Sequence, residues 1–87
     1  MINWSEEKNE TLRQGRGVTF EEVCVELDAG RLVALVPHPS RVNQQIYIVR
    51  LKGYCHAVPF VSDDAGGVFL KTIYPSREFQ QKYGGES

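Results

Sequence analysis

The chain has 87 residues, 41% hydrophobic and 24% charged, with a formal net charge of −1. That length suits one small domain, residues 1–87, burying roughly 60–65% of its unfolded surface, and the composition excludes a disordered or collagen-like chain. No apolar run reaches the roughly 18–20 residues of a membrane span. Met1-Ile2-Asn3-Trp4-Ser5-Glu6-Glu7 shows no basic start before an apolar stretch, so a cytoplasmic protein without a secretory leader is expected.

Ser5 reads as the N-cap of a first helix running to about Gln14, with Glu6 and Glu7 at its positive end. Its apolar face is thin, Trp4 and Leu12, so the helix must dock to persist. Thr19 and Glu22 form a capping-box pair, and Val18 with Val23 has staple spacing. Phe20, Val23, Cys24 and Leu27 then recur at helical intervals, and Gly30 supplies the stop.

Past Gly30 the period changes to that of strands. Leu32–Val36 is short and halted by Pro37-His38-Pro39-Ser40; Ile46–Leu51 is a second strand. Lys52-Gly53 fits a two-residue hairpin turn into a third strand, Tyr54–Val61. Pro59 removes one ladder donor there, predicting a bulge or strand end. After Ser62–Gly67 comes a fourth strand, Val68–Ile73. Ser76 caps a last helix through Lys82 or Tyr83, ended by Gly84-Gly85. The expected fold is α+β: two N-terminal helices, a four-stranded antiparallel meander and a short C-terminal helix, with one sheet face covered by helices.

The net charge conceals an asymmetry. Residues 1–30 carry three basic and seven acidic groups, and residues 31–87 carry seven basic and four acidic ones. An acidic front can coexist with an anion-binding back. Metal chemistry finds no support, since Cys24, His38, Cys55 and His56 lack ligand spacing and adjacent Cys55 and His56 point to opposite strand faces. A Cys24–Cys55 disulfide is disfavoured without a secretory signal. Gly15-Arg16-Gly17 and Gly66-Gly67 match neither a Walker loop nor a dinucleotide fingerprint.

What remains is a set suited to phosphodiester chemistry: Lys8, Arg16, His56, Lys71, Arg77 and Tyr83, with Glu78 as a candidate base. RNA cleavage without metal needs a group to take the 2′-hydroxyl proton. It also needs cations for the developing phosphorane charge and an acid for the leaving oxygen. Each has an ordinary reading too: Lys8 as a partner of acidic neighbours along its helix, Lys71 as a solvent-facing strand cation, His56 as a half-buried histidine alternating with Tyr54, Val58 and Phe60.

Trp4-Ser5-Glu6-Glu7-Lys8, then Leu12-Arg13, then Gly17-Val18-Thr19-Phe20-Glu21-Glu22-Val23 resembles the opening of the BrnT family. Those are toxins of type II toxin–antitoxin pairs, typified by W-(D/E)-x-x-K followed by K-H-G-V-(S/T)-F-E-E-A. Phe69–Glu78, closing on Tyr83, is similar to that family's last strand and helix. The resemblance spans nearly the whole chain and implies a RelE-like fold that cleaves RNA without metal or cofactor and slows translation. It implies a cognate antitoxin of ribbon-helix-helix type as partner, in a hetero-oligomer, and no membrane. Lys8 and Arg77 match motif positions, which makes them first choices for phosphate contact, joined by Arg16, His56 and Lys71. Tyr83, with Lys82, would contact RNA or close the core. The family's histidine falls near Arg16, so an acid–base role would pass to His56. The alternative is a non-catalytic module of the same fold that binds an antitoxin-like partner or nucleic acid.

Overall fold

Local capping chemistry sets the helices. In the computed structural model, which describes residues 1–84, the Ser5 hydroxyl accepts the Lys8 amide at 3.2 Å and α1 spans Glu6–Arg16. The helix runs two residues beyond the expected Gln14, because the chain leaves helical geometry only at Gly17. That glycine takes φ 71° and returns its N–H to the Leu12 and Arg13 carbonyls. Helix α2, Phe20–Asp28, carries both bonds of the Thr19–Glu22 capping box, and Val18 and Val23 are buried as a staple. Gly30, φ 73°, turns the chain out of it.

Strands β2 (Ala34–Pro37), β3 (Gln45–Leu51), β4 (Tyr54–Ser62) and β5 (Val68–Leu70) pair antiparallel in succession. The β3–β4 turn places Lys52 at φ 57° and Gly53 at φ 77°, the doubly positive geometry of a tight hairpin. Two more strands make the sheet six-stranded and mixed, correcting the expected four-stranded antiparallel meander. β1 (Ile2–Asn3) pairs parallel with β5, and β6 (Tyr74–Pro75) pairs antiparallel with β4. Two-residue strands carry no periodicity of their own, and the Ile2–Val68 pairing joins opposite ends of the chain.

Pro59 sits in register opposite Ile46 of β3, and the expected bulge falls on its other side: Phe60 pairs with Leu70 and Ala57 with Tyr74, so Lys71, Thr72 and Ile73 oppose only Val58 and Pro59. The Pro59 carbonyl accepts the Lys71 amide at 2.8 Å, so its nitrogen also faces the β5 side. On that side the ladder is interrupted between Leu70 and Tyr74. The missing donor therefore falls where no regular partner waits, and the expected fourth strand splits into β5 and β6.

Helix α3, Arg77–Tyr83, is capped by Ser76, whose hydroxyl accepts the Phe79 amide. Gly84 is its C-cap; Gly85 lies outside the described residues. The expectation that helices cover one sheet face is corrected as well. Val49, Leu51, Val58 and Phe60 pack with Leu12, Val18, Phe20 and Val23 under α1 and α2. The alternate positions Ile46, Ile48, Cys55 and Ala57 form a second core beneath Phe79 and Tyr83 of α3.

The thin face of α1 is compensated by a polar contact. Asn9, 7% exposed, accepts the Phe20 amide at 2.8 Å and donates to the Glu21 carboxylate at 2.8 Å. Trp4 stacks on Phe20 at 5.5 Å between centroids, completing the corner.

Candidate functional site

On α1, Lys8, Leu12 and Arg16 recur every four residues and share one stripe. With Thr11 and Gly15, they line a groove of about 250 Å³ floored by the buried Leu12. Gly15 leaves the groove open between the two cations, since no heavy atom lies within 4 Å of where its Cβ would stand. Arg16 lies at the negative end of the helix dipole. One Nη1–H of its guanidinium donates to the Ile73 carbonyl at 2.7 Å, which fixes the fork against the segment leading into β6.

His56 borders that same short strand. It lies on β4 between Val49 of β3 and Pro75 of β6, and is 7% exposed. Its Nδ1 is 2.9 Å from the Tyr54 carbonyl, which only accepts. The proton is thereby assigned to Nδ1, leaving Nε2 as the ring's basic nitrogen when neutral.

The remaining expected residues lie elsewhere. Lys71 is exposed in the break between β5 and β6, with its ammonium 5.6 Å from the Phe69 ring centroid. It lines a different cavity, beside His38 and Arg41. Arg77 opens α3 and is exposed, as is Glu78. Lys82 holds its ammonium 5.5 Å over the Tyr83 ring. Tyr83 is half-buried, stacked with Phe79 at 6.1 Å, and its carbonyl accepts from Arg50 at 3.0 Å. The structure thus places Lys8 and Arg16 in one groove, His56 beside β6 and outside that groove's lining, and Lys71 in a different cavity.

In the sequence His38 stood out only as a candidate metal ligand, and Arg41 not at all, because both fall in a loop without motif. The one available signal was the Pro-His-Pro run, a stiff segment carrying an imidazole. Among the described residues no three His, Cys, Asp or Glu side chains gather as a metal site. Cys24 and Cys55 are free thiols; burial, then Asp28 and Glu21, pushes the Cys24 thiol above its ordinary pKa, away from the reactive thiolate. No helix among the described residues is long and apolar enough to cross a membrane.

Two helices on one face of a small mixed sheet, and a short helix closing the other, define an α+β fold. The structure is similar to that of the Brucella abortus ribonuclease toxin BrnT, with a TM-score of 0.64 at 18% identity, over 86% of this chain and 94% of that one. At that identity the likeness shows a BrnT-like fold alone. No protein-family model and no curated protein matches the sequence.

Proposed function

We propose that this chain is the toxin of a type II toxin–antitoxin pair, a metal-independent endoribonuclease that inhibits translation in the cytoplasm. A cognate antitoxin, of ribbon-helix-helix type, would hold it silent in a hetero-oligomer. The observation that carries this reading is a fold shared with a ribonuclease toxin over 86% of the chain. The groove pairing Lys8 with Arg16 adds to it. In this reading Lys8 and Arg16 hold the scissile phosphate, Arg16 through N–H groups not spent on Ile73. The 2′-oxygen forms its bond to phosphorus as its proton passes to His56 Nε2, and the bond to the 5′-oxygen breaks as that oxygen takes a proton from water. Arg77 and Lys71 supply further positive charge, and Lys82 and Tyr83 a contact for the strand beyond the α3 end.

A second reading, the non-catalytic binding module, draws on one specific observation: an imidazole only 7% exposed is hard for a substrate hydroxyl to approach. Purified protein incubated with RNA in EDTA separates the two. Cleavage should appear with wild type and fall roughly 10²-fold in Arg16→Ala and Arg77→Ala, the scale of losing one transition-state charge contact. His56→Ala should remove it. Intact RNA with wild type, together with unimpaired growth on expression, would leave only the binding module.

A further inference from the structure

A second cationic groove is built around the interruption opposite Pro59. Where the ladder breaks after Leu70, the Lys71 amide still bonds the Pro59 carbonyl, and Lys71 and Thr72 form one wall. The other wall is the loop between β2 and β3. His38 donates its amide to the Gln44 carbonyl, and Gln44 donates its own to Arg41, both at 3.1 Å. The His38 ring is fixed inside this loop, because Nδ1 accepts the Ser40 and Arg41 amides at 3.1 and 3.2 Å. That leaves Nε2–H as a donor in the neutral ring. Flanking Pro37 and Pro39 restrict the backbone on either side.

The resulting cavity, about 290 Å³, is lined by His38, Arg41, Gln44, Pro59, Lys71 and Thr72, with no carboxylate among them. Beside it Phe69, 39% exposed, lies against the Lys71 ammonium.

We infer that this groove is a phosphate-binding subsite for single-stranded RNA, distinct from the Lys8–Arg16 groove on α1. Arg41 presents a planar fork matched to phosphate oxygens, Lys71 a point charge, and His38 an oriented neutral donor. Gln44 and Thr72 add uncharged donors. Phe69 offers a ring face to a base next to the bound phosphate, the alternation of cation and aromatic that single strands use. That pairing favours RNA over an acidic peptide, which needs the cations alone. The choice of RNA rests on the ribonuclease-toxin reading; the groove itself rests on its geometry.

The test is fluorescence anisotropy of a short labelled single-stranded RNA with the full chain in EDTA, across a salt series, with cleavage read in parallel on gels. Arg41→Ala/Lys71→Ala should bind about tenfold more weakly, with a salt slope shallower by roughly one to two units. Arg31→Ala, an exposed arginine paired with Glu26, should bind as wild type. Phe69→Leu should weaken binding several-fold with an unchanged salt slope, and circular dichroism should match wild type throughout. Wild type that binds but does not cleave, with the same variant pattern, supports the groove while overturning the ribonuclease reading. Equal affinity of wild type and the double variant overturns the groove. Displacement of RNA by polyglutamate at matched charge, with Phe69→Leu silent, overturns RNA as its ligand in favour of an acidic protein.

Discussion

Asn9 shows how one buried side chain joins two helices whose own apolar faces are insufficient. Its oxygen satisfies an amide at the start of α2, and its nitrogen reaches the Glu21 carboxylate. Asn9→Ala leaves the Phe20 N–H buried without that partner, and should lower unfolding free energy by about 1–3 kcal/mol in urea titration. The same bond has a pH signature. The hydrogen bond from Asn9, first among several causes, holds the Glu21 carboxyl below its ordinary 4.5. A carboxyl with a lowered folded pKa stabilises most above its unfolded pKa and loses that contribution as pH falls through the folded value. The stability gap between wild type and Asn9→Ala should therefore narrow below pH 4.5. A gap independent of pH would assign the cost to the Phe20 amide alone.

The elements carry their own tests. Gly15 is the one glycine inside α1, exposed, with nothing near its missing Cβ. Gly15→Ala should stabilise by about 1 kcal/mol and raise Tm. It also puts a methyl group between Lys8 and Arg16, so it should weaken RNA cleavage while strengthening the fold, a combination no purely structural role for that groove produces. At the β3–β4 turn, Lys52 occupies the left-handed region that Asn tolerates better. Its side chain makes an exposed pairing with Glu22 at 3.8 Å, worth little in water. Lys52→Asn should raise stability by about 0.5–1 kcal/mol in thermal melts. The caps, staple and hairpin turn were legible because each signal spans only a few residues and names its own geometry. β1 and β6 were not, being too short for a period and dependent on partners distant in the chain.

At the scale of the molecule, the two cores make a specific claim about α3. If the sheet were covered on one face, α3 would be a surface appendage, and Phe79→Ala would cost a few tenths of a kcal/mol. Since Phe79 packs on Ile46, Ile48, Cys55 and Ala57, the substitution should cost about 2 kcal/mol, below the full-burial range because the ring is only half-buried. A shift in the urea midpoint decides between them. The cations divide in the same way: Lys8 and Arg16 belong to α1, whereas Lys71 meets His38 and Arg41 where Pro59 points to the α3 face. A single net charge of −1 averages over an arrangement in which both grooves are free of lining carboxylates.

By itself the sequence determined the helix caps, the apolar stripe of α2 and the β3–β4 hairpin turn, and which residue types were available for phosphate chemistry. Those are properties of short stretches, written in caps, turns and periodicity. Tertiary structure alone decided that the sheet carries a core on each face, that Arg16 is fixed to Ile73, and that Lys71 faces His38 and Arg41 rather than Lys8. The reason is that neighbours in space are chosen by loop closure and strand order. Here a proline without an N–H marked the break in its partner strand, but that the break would set Lys71 beside His38 and Arg41 is something no local pattern announces.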